Sequence, residues 1–291
     1  MKLLPRIFGR RRRPYPDPVV TLAPMPACAP APAPREYFYL GDGMGLARLK
    51  SGHFIFVDPL EESVCSHLIA RGEWEPWARR VVMGLVQPGD HVLEIGGHVG
   101  YYTLGLADAV GPRGSVTTFE ANPRLAALAA RSVRFNGFGA RVDVRQQAVS
   151  DQAGQLRFTV SRQFAGGGHI YVGEGALGPD AEVIQVEAVR IDDLDLPAIK
   201  LIRIDAEGSE PLILRGAEAL LRKPDVVLCI EWDVVQMRSR ADPAEFARWL
   251  QGLGFSFWRI MTTGELEAVE LARLPTLTPC DLVVARSHPF A

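Results

Sequence analysis

His91-Val92-Leu93-Glu94-Ile95-Gly96-Gly97-His98-Val99-Gly100 decides how the whole chain is read. Three apolar residues surround one acid, and glycines then occupy positions 96, 97 and 100. A short apolar run stopped by glycines predicts a buried parallel strand that turns sharply into a helix. Glycine at such a turn permits positive φ and removes the Cβ that would keep a ligand off the backbone. The helix that follows is expected to aim its unsatisfied N–H groups at that ligand. A dinucleotide turn needs G-x-G-x-x-G, and here the third glycine arrives too early. No Gly-Lys-Ser/Thr follows, which excludes a P-loop. The acids sit instead at Glu94, before the glycines, and at Glu120, closing the next apolar run from Ser115. An acid that closes the second strand can accept both hydroxyls of a ribose. The bland alternative is a tight strand–helix turn with no ligand.

Outward from this stretch, strands and helices alternate, which implies a parallel sheet. The strand at 91–95 leads to a helix over 99–109, and the strand at 115–120 leads to a helix over 123–135. Arg141 to Gln147 reads as a third strand, followed by Ala148-Val149-Ser150-Asp151. Alternation over 155–160 and 182–189 predicts an inserted hairpin (about 155–189) with Gly166-Gly167-Gly168-His169 in its connection. Ile199–Asp205 is the next strand, with a helix from Glu207 to about Leu221, then a strand over 225–231 and a helix over 243–252. Residues 254–260 and 281–286 supply the last two strands.

Before the main domain (87–291), residues 37–86 read as one or two short hairpins and two helices, 61–70 and 74–86, too small for a separate core and expected to pack as a lid. Residues 1–36 form a basic, then Ala/Pro-rich leader, expected to be extended and solvated. Its arginines offer a weak contact to an anionic membrane surface or a partner.

The 291 residues suit one large α/β domain with decoration, and the net charge of −2 leaves no global field to recruit nucleic acid. Cys28, Cys65, Cys229 and Cys280 form no C-x-x-C pair, which argues against a zinc site and a disulfide framework. No run approaches 18 apolar residues, and no apolar region follows the basic N-terminus. A cytoplasmic location is the expectation.

Three strands end in acids: Glu120, Asp205 and Glu231. Ligands of open α/β sheets bind outside the carboxyl ends of the strands. Carboxylates gathered on that rim need a polar ligand, a metal or one another.

Several segments taken in order resemble the FkbM family of S-adenosylmethionine-dependent methyltransferases, from about Gly72 to Arg286. They are Leu93 to Thr103, Phe119-Glu120-Ala121-Asn122-Pro123, Asn136, Ala148 to Asp151, Ile191 to Leu194, Arg203-Ile204-Asp205-Ala206-Glu207-Gly208-Ser209-Glu210, Leu214-Arg215-Gly216 and Ile230-Glu231. The resemblance implies a Rossmann-like class I methyltransferase fold, seven-stranded and mostly parallel with the last strand antiparallel, and the N-terminal hairpin and helices added to it. It also implies O-methylation of a hydroxyl on a sugar, glycan, glycolipid or secondary metabolite.

Carried over by position, Gly96, Gly97, His98 and Gly100, with Tyr102 and Thr103 behind them, would wrap the methionine part of S-adenosylmethionine, which Glu94 would help orient. Glu120 and Asn122 would hold the ribose side, Gln147 and Ala148 would flank the adenine, and Glu75 would cover the cofactor. Family members usually carry Asp at position 94, Ala-Asn at 97–98 and Lys at 203, so Glu94, Gly97-His98 and Arg203 are departures.

Methyl transfer to an alcohol is an in-line displacement that needs the hydroxyl proton removed. Asp205 is read as the base or its orienter, Glu207 as a group positioning substrate hydroxyls, and His169 as a second candidate base. A Mg²⁺ held by Asp205, Glu207 and Glu231 is an option the sequence does not require. A catalytically inactive, cofactor-binding scaffold and an N-methyltransferase remain as alternatives, as does a homo-oligomer formed through the hairpins. Trp74, Phe164, Tyr171 and Trp232 are candidates for stacking on an acceptor ring.

Overall fold

The computed structural model describes residues 36–173, 177 and 180–290. The expected leader, Glu36 apart, and part of the insertion's connection lie outside them. Three N-terminal strands, β1 (Tyr37–Gly41), β2 (Met44–Arg48) and β3 (Phe54–Val57), form an antiparallel sheet in that order. Helix α1 (Cys65–Arg71) ends on Gly72, whose N–H returns to the Leu68 carbonyl, and α2 (Pro76–Gly84) starts with proline in its first turn. Alternate residues Ile55 and Val57 of β3 are fully buried, so this segment joins the main core instead of forming its own.

The main sheet is built from β4 (His91–Ile95) with α3 (Tyr101–Val110), β5 (Ser115–Phe119) with α4 (Pro123–Phe135), and β6 (Val142–Arg145). The insertion follows as β7 (Ala148–Val149), β8 (Gly154–Ser161) and β9 (Ala181–Val189), a separate sheet in the order β7-β9-β8. Next come β10 (Ile199–Ile204), α5 (Glu210–Arg215), α6 (Glu218–Leu221), β11 (Val227–Trp232), α7 (Val234–Met237), α8 (Pro243–Gly252), β12 (Ser256–Ile260), β13 (Leu266–Val269) and β14 (Cys280–Ala285). The strand order is β13-β12-β14-β11-β10-β4-β5-β6. The central strands are parallel, and β14 runs antiparallel to both β11 and β12, as a class I methyltransferase sheet requires.

Two expectations change. The sheet has eight strands, because β13 hairpins back onto β12 as a four-residue edge strand too short to stand out in the sequence. The helix expected over 207–221 is two helices. Gly216 packs so closely on the Ser150 carbonyl that a side chain there would collide with it, and the chain breaks at Ala217.

The N-terminal sheet docks on α4. The Phe54 N–H donates to Asn136 Oδ1 at 3.0 Å, the Phe56 N–H donates to Ser132 Oγ at 3.0 Å, and Asn136 Nδ2 returns to the Phe54 carbonyl at 2.6 Å. Arg124, on α4, donates to the buried Asp58 carboxylate at 2.5 Å. These bonds anchor the start of the loop 58–64 on α4. Among the described residues no helix is long and apolar enough to cross a membrane.

Candidate active site

The β4–α3 turn closes against its neighbours. Gly96 has φ +83, and a Cβ there would run into the Asp205 carbonyl oxygen, so only glycine lets β4 and β10 end side by side. The N–H groups of Gly96 and Gly97 both donate to the Phe119 carbonyl, at 2.9 and 3.1 Å. His98 follows at φ +49, a conformation non-glycine residues rarely take, held by a 2.7 Å bond from its N–H to Glu120 Oε2. The other Glu120 oxygen accepts the Asn122 N–H at 2.8 Å. Burial nevertheless pushes the Glu120 carboxyl up to about 7.

This turn forms one wall of a cavity of about 390 Å³. Glu120, Gln147 and Ala148 line it beyond the ends of β5 and β6, on one side of β4 in the sheet, and Asp205, Glu207, Glu231 and Asp281 line it from β10, β11 and β14 on the other, with Glu75 also in the lining. The insertion contributes Ala165 to Gly168 and Ile170, and the N-terminal segment contributes Ser63, Val64 and Trp74.

Strand pairing places the acids. Glu231 stands directly opposite Asp281 across the β11–β14 pair, where two like charges repel. Asp205, Glu207 and Glu231 each bring a carboxylate oxygen within 4.8 Å of the other two. Burial first, then neighbouring acids, raises four of the carboxyls here: Asp281 to about 6, Glu75 and Glu207 to about 7, and Glu210 to about 8. Glu231 is pushed up furthest, its Oε2 buried without a hydrogen-bond partner.

Arg203 is the countercharge. It donates to Asp205 at 2.8 Å and to the Gly96 carbonyl at 3.3 Å, lies 3.8 Å from Glu94, and stacks 3.9 Å from the Tyr102 ring. Burial works against its charge, but Asp205, Tyr102 and Glu94 more than restore it. A planar fork that bonds and stacks at once is something lysine lacks.

Of the residues expected at the site, Glu75, Gly96, Gly97, His98, Tyr102, Glu120, Gln147, Ala148, Asp205, Glu207 and Glu231 line the cavity. Five others do not. Glu94 is fully buried behind the turn, where it accepts from Thr103 Oγ1 at 2.5 Å. Thr103 is spent on that bond, and Gly100 packs on Ala129 of α4. Asn122 caps α4, accepting the Arg124 N–H at 3.0 Å. His169 is held on the insertion by Thr159 Oγ1 at 3.1 Å and the Gly167 carbonyl at 2.9 Å, away from the cavity wall.

Among the proposed stacking residues only Trp74 lines the cavity. Phe164 is exposed, and the Tyr171 ring packs on Arg157. Trp232 is core, fully buried with its indole N–H on the Leu274 carbonyl at 2.9 Å. Ser63, Val64, Cys280 and Asp281 also line the wall with no signal in the sequence to mark them, because they come from elements far from the glycine turn in the chain.

A model of the Methyltransferase FkbM domain matches residues 94–257, more than half of the chain. The chain belongs to the FkbM methyltransferase family. It is 34% identical over 163 residues to the 31-O-demethyl-FK506 methyltransferase FkbM of Streptomyces tacrolimicus, across 46% of this chain and 61% of that protein. It is 36% identical over 89 residues to a transmembrane O-methyltransferase of Propithecus coquereli, across 30% of this chain and 31% of that one. It therefore spans about three-fifths of the first relative and under a third of the second. Among solved structures, the FkbM methyltransferase of Methylobacillus flagellatus superimposes with TM-score 0.45 at 16% identity, covering 69% of this chain and 45% of that one. An O-methyltransferase of Bacillus cereus in complex with SAH gives 0.44 at 15%, covering 75% and 84%. The family match begins at Glu94, so Ser63, Val64, Trp74 and Glu75, which line the cavity of this FkbM-family chain, lie outside it.

Proposed function

We propose that this chain transfers the methyl group of S-adenosylmethionine to a hydroxyl oxygen of a sugar, glycolipid or secondary-metabolite acceptor. The observation that carries the reading is a cavity with two chemically distinct walls. The side with Glu120, Gln147 and Ala148 suits a nucleoside: Glu120 keeps free lone pairs for ribose hydroxyls beyond the two N–H bonds it accepts. The opposite wall offers carboxylates, which accept hydrogen bonds from hydroxyl groups. Bound there, S-adenosylmethionine supplies an electrophilic methyl group. Asp205, fixed by Arg203, and Glu207, fixed by Gln236 Nε2 at 2.7 Å, would orient the acceptor hydroxyl in line with it.

The carboxylates of Asp205, Glu207 and Glu231 also fit a hard divalent cation, given their mutual approach and the unpartnered Glu231 oxygen. Such an ion would supply positive charge that favours the deprotonated acceptor oxygen. Labelled methyl transfer to a panel of methyl glycosides, glycolipids and a macrolide alcohol tests the reaction. Transfer to a hydroxyl supports it. Tight S-adenosylhomocysteine binding without transfer to any acceptor would favour the scaffold reading, and undiminished turnover in excess EDTA would remove the cation.

A further inference from the structure

At the glycine turn, two distant parts of the chain bring a carboxylate and an imidazole together. Glu61, from the loop before α1, is 1% exposed, and its oxygens accept the N–H groups of Ser63 at 2.7 Å, Val64 at 2.9 Å and Cys65 at 2.5 Å, together with Ser63 Oγ. Four donors from one helix start fix where that carboxylate points. His98 Nε2 lies 4.0 Å from Glu61 Oε2. Both ring nitrogens of His98 are buried without a hydrogen-bond partner, although the residue lines the cavity. Of the acids read as candidate bases, Asp205 is engaged by Arg203 and Glu207 by Gln236.

We propose that Glu61 and His98 are the proton-accepting pair for methyl transfer, the imidazole taking the acceptor's hydroxyl proton while Glu61 orients the ring and offsets its charge. The assignment rests on the O-methylation reading above. The acceptor O–H bond breaks and its proton passes to a ring nitrogen of His98. The oxygen's freed electron pair forms the new O–CH₃ bond, and the pair of the breaking S–CH₃ bond stays on sulfur, leaving a neutral thioether. The imidazolium then returns its proton to solvent through the cavity mouth.

The 4.0 Å separation brings the pair close to hydrogen-bond reach, and catalytic hydrogen bonds often tighten only in the reacting complex. The charged groups facing His98 are Glu61 from the N-terminal segment and Asp205 and Arg203 from the end of β10. Burial holds the imidazole below its ordinary range, so it stands neutral and ready to accept a proton at pH 7. Burial alone would raise the Glu61 carboxyl, but the hydrogen bonds it accepts from Ser63, Val64 and Cys65 hold it ionised, and an imidazolium at His98 would favour that charge further.

The test uses His98→Gly, which suits the positive φ and leaves a hole beside Glu61, with His98→Asn as a second variant because asparagine tolerates that backbone. Labelled transfer to the methyl glycoside, glycolipid and macrolide panel is measured beside calorimetric binding of S-adenosylhomocysteine. The expected result is a kcat loss of about 100-fold or more, nucleoside affinity kept, and partial recovery with added imidazole. In ¹³C-histidine NMR, Glu61→Gln lowers the His98 titration by about one pH unit, and Glu61→Asp, which retains the charge, lowers it less. Undiminished kcat in His98→Gly, or lost nucleoside affinity with no imidazole rescue, overturns the assignment alone. A wild type that labels nothing in the panel overturns the O-methylation reading and this assignment with it.

Discussion

Glu231→Gln is expected to make the protein more stable and less active, and the size of the gain is set by pH. In the unfolded chain a glutamate ionises near 4.5, whereas in the fold burial and the acids at 205, 207, 210 and 281 hold the Glu231 proton well above neutrality. Between those limits the folded state binds more protons than the unfolded one, so stability is fully present below pH 4.5 and falls as pH rises. At about 1.36 kcal/mol per pH unit, the cost reaches about 4 kcal/mol at pH 7.5. Glu231 still touches the cavity, and solvent screening reduces this to roughly 1–2 kcal/mol.

Glutamine keeps the shape and removes the charge. In EDTA at pH 7.5 its melting temperature should therefore exceed that of wild type by about 2–6 °C, and at pH 4.5 the two should nearly coincide. Added Mg²⁺ should raise the wild type and not the variant, because an ion that binds only the fold stabilises it by mass action. Differential scanning calorimetry at the two pH values, with EDTA and then with Mg²⁺, reads all four cases. A variant less stable than wild type at pH 7.5 in EDTA, or a difference that does not change with pH, would refute the reasoning.

Arg203→Met should destabilise the fold by about 3–5 kcal/mol in urea titrations, since it leaves Glu94 and Asp205 without their shared cation; Arg203→Lys should recover part of that loss. Glu120→Ala should weaken S-adenosylhomocysteine binding by about tenfold or more in calorimetry, and an unchanged affinity would remove Glu120 from the nucleoside side. Trp232→Phe strands the Leu274 carbonyl and should cost about 1–3 kcal/mol with cofactor affinity intact, a combination that a ring-stacking role at the acceptor would not produce.

The glycine turn and the acids at 120, 205 and 231 were legible because they depend on local signals: an apolar run, a stop, and a charge where burial ends. Trp232, read by its aromatic character as a stacking residue, is core instead, and a rule that outranks that character explains why. Side chains alternate across a strand, so if Glu231 faces the cavity, Trp232 faces the core. The break between α5 and α6 is hidden in the helical pattern, because it is set where Gly216 meets the distant Ser150 carbonyl. Other features depend on pairing across long sequence distances. Asp281 opposes Glu231 only through the antiparallel register of β14, and Glu61 reaches His98 only because β3 docks on α4. His169 lies in a glycine-rich run that suggests freedom, yet Thr159 pins it from the facing strand.

Backbone strain points to the same place as the charge. Among the described residues, four non-glycine residues have positive φ: Asp42, Glu75, His98 and Glu207. Asp42 sits in the β1–β2 turn, where such geometry is ordinary. The other three line the cavity, from three different parts of the chain. Each conformation costs on the order of 1–2 kcal/mol and persists only where the surroundings enforce it. For His98 the enforcing bond is Glu120; Glu207 sits beside Gly208, whose backbone approaches Gln236 too closely to carry a side chain. Glu75 begins α2 with no side-chain cap of its own. A fold selected for stability alone would relax the strain and disperse the acids. Their coincidence in one cavity, beside an imidazole with two free nitrogens, is what a site shaped for proton removal and methyl transfer would retain.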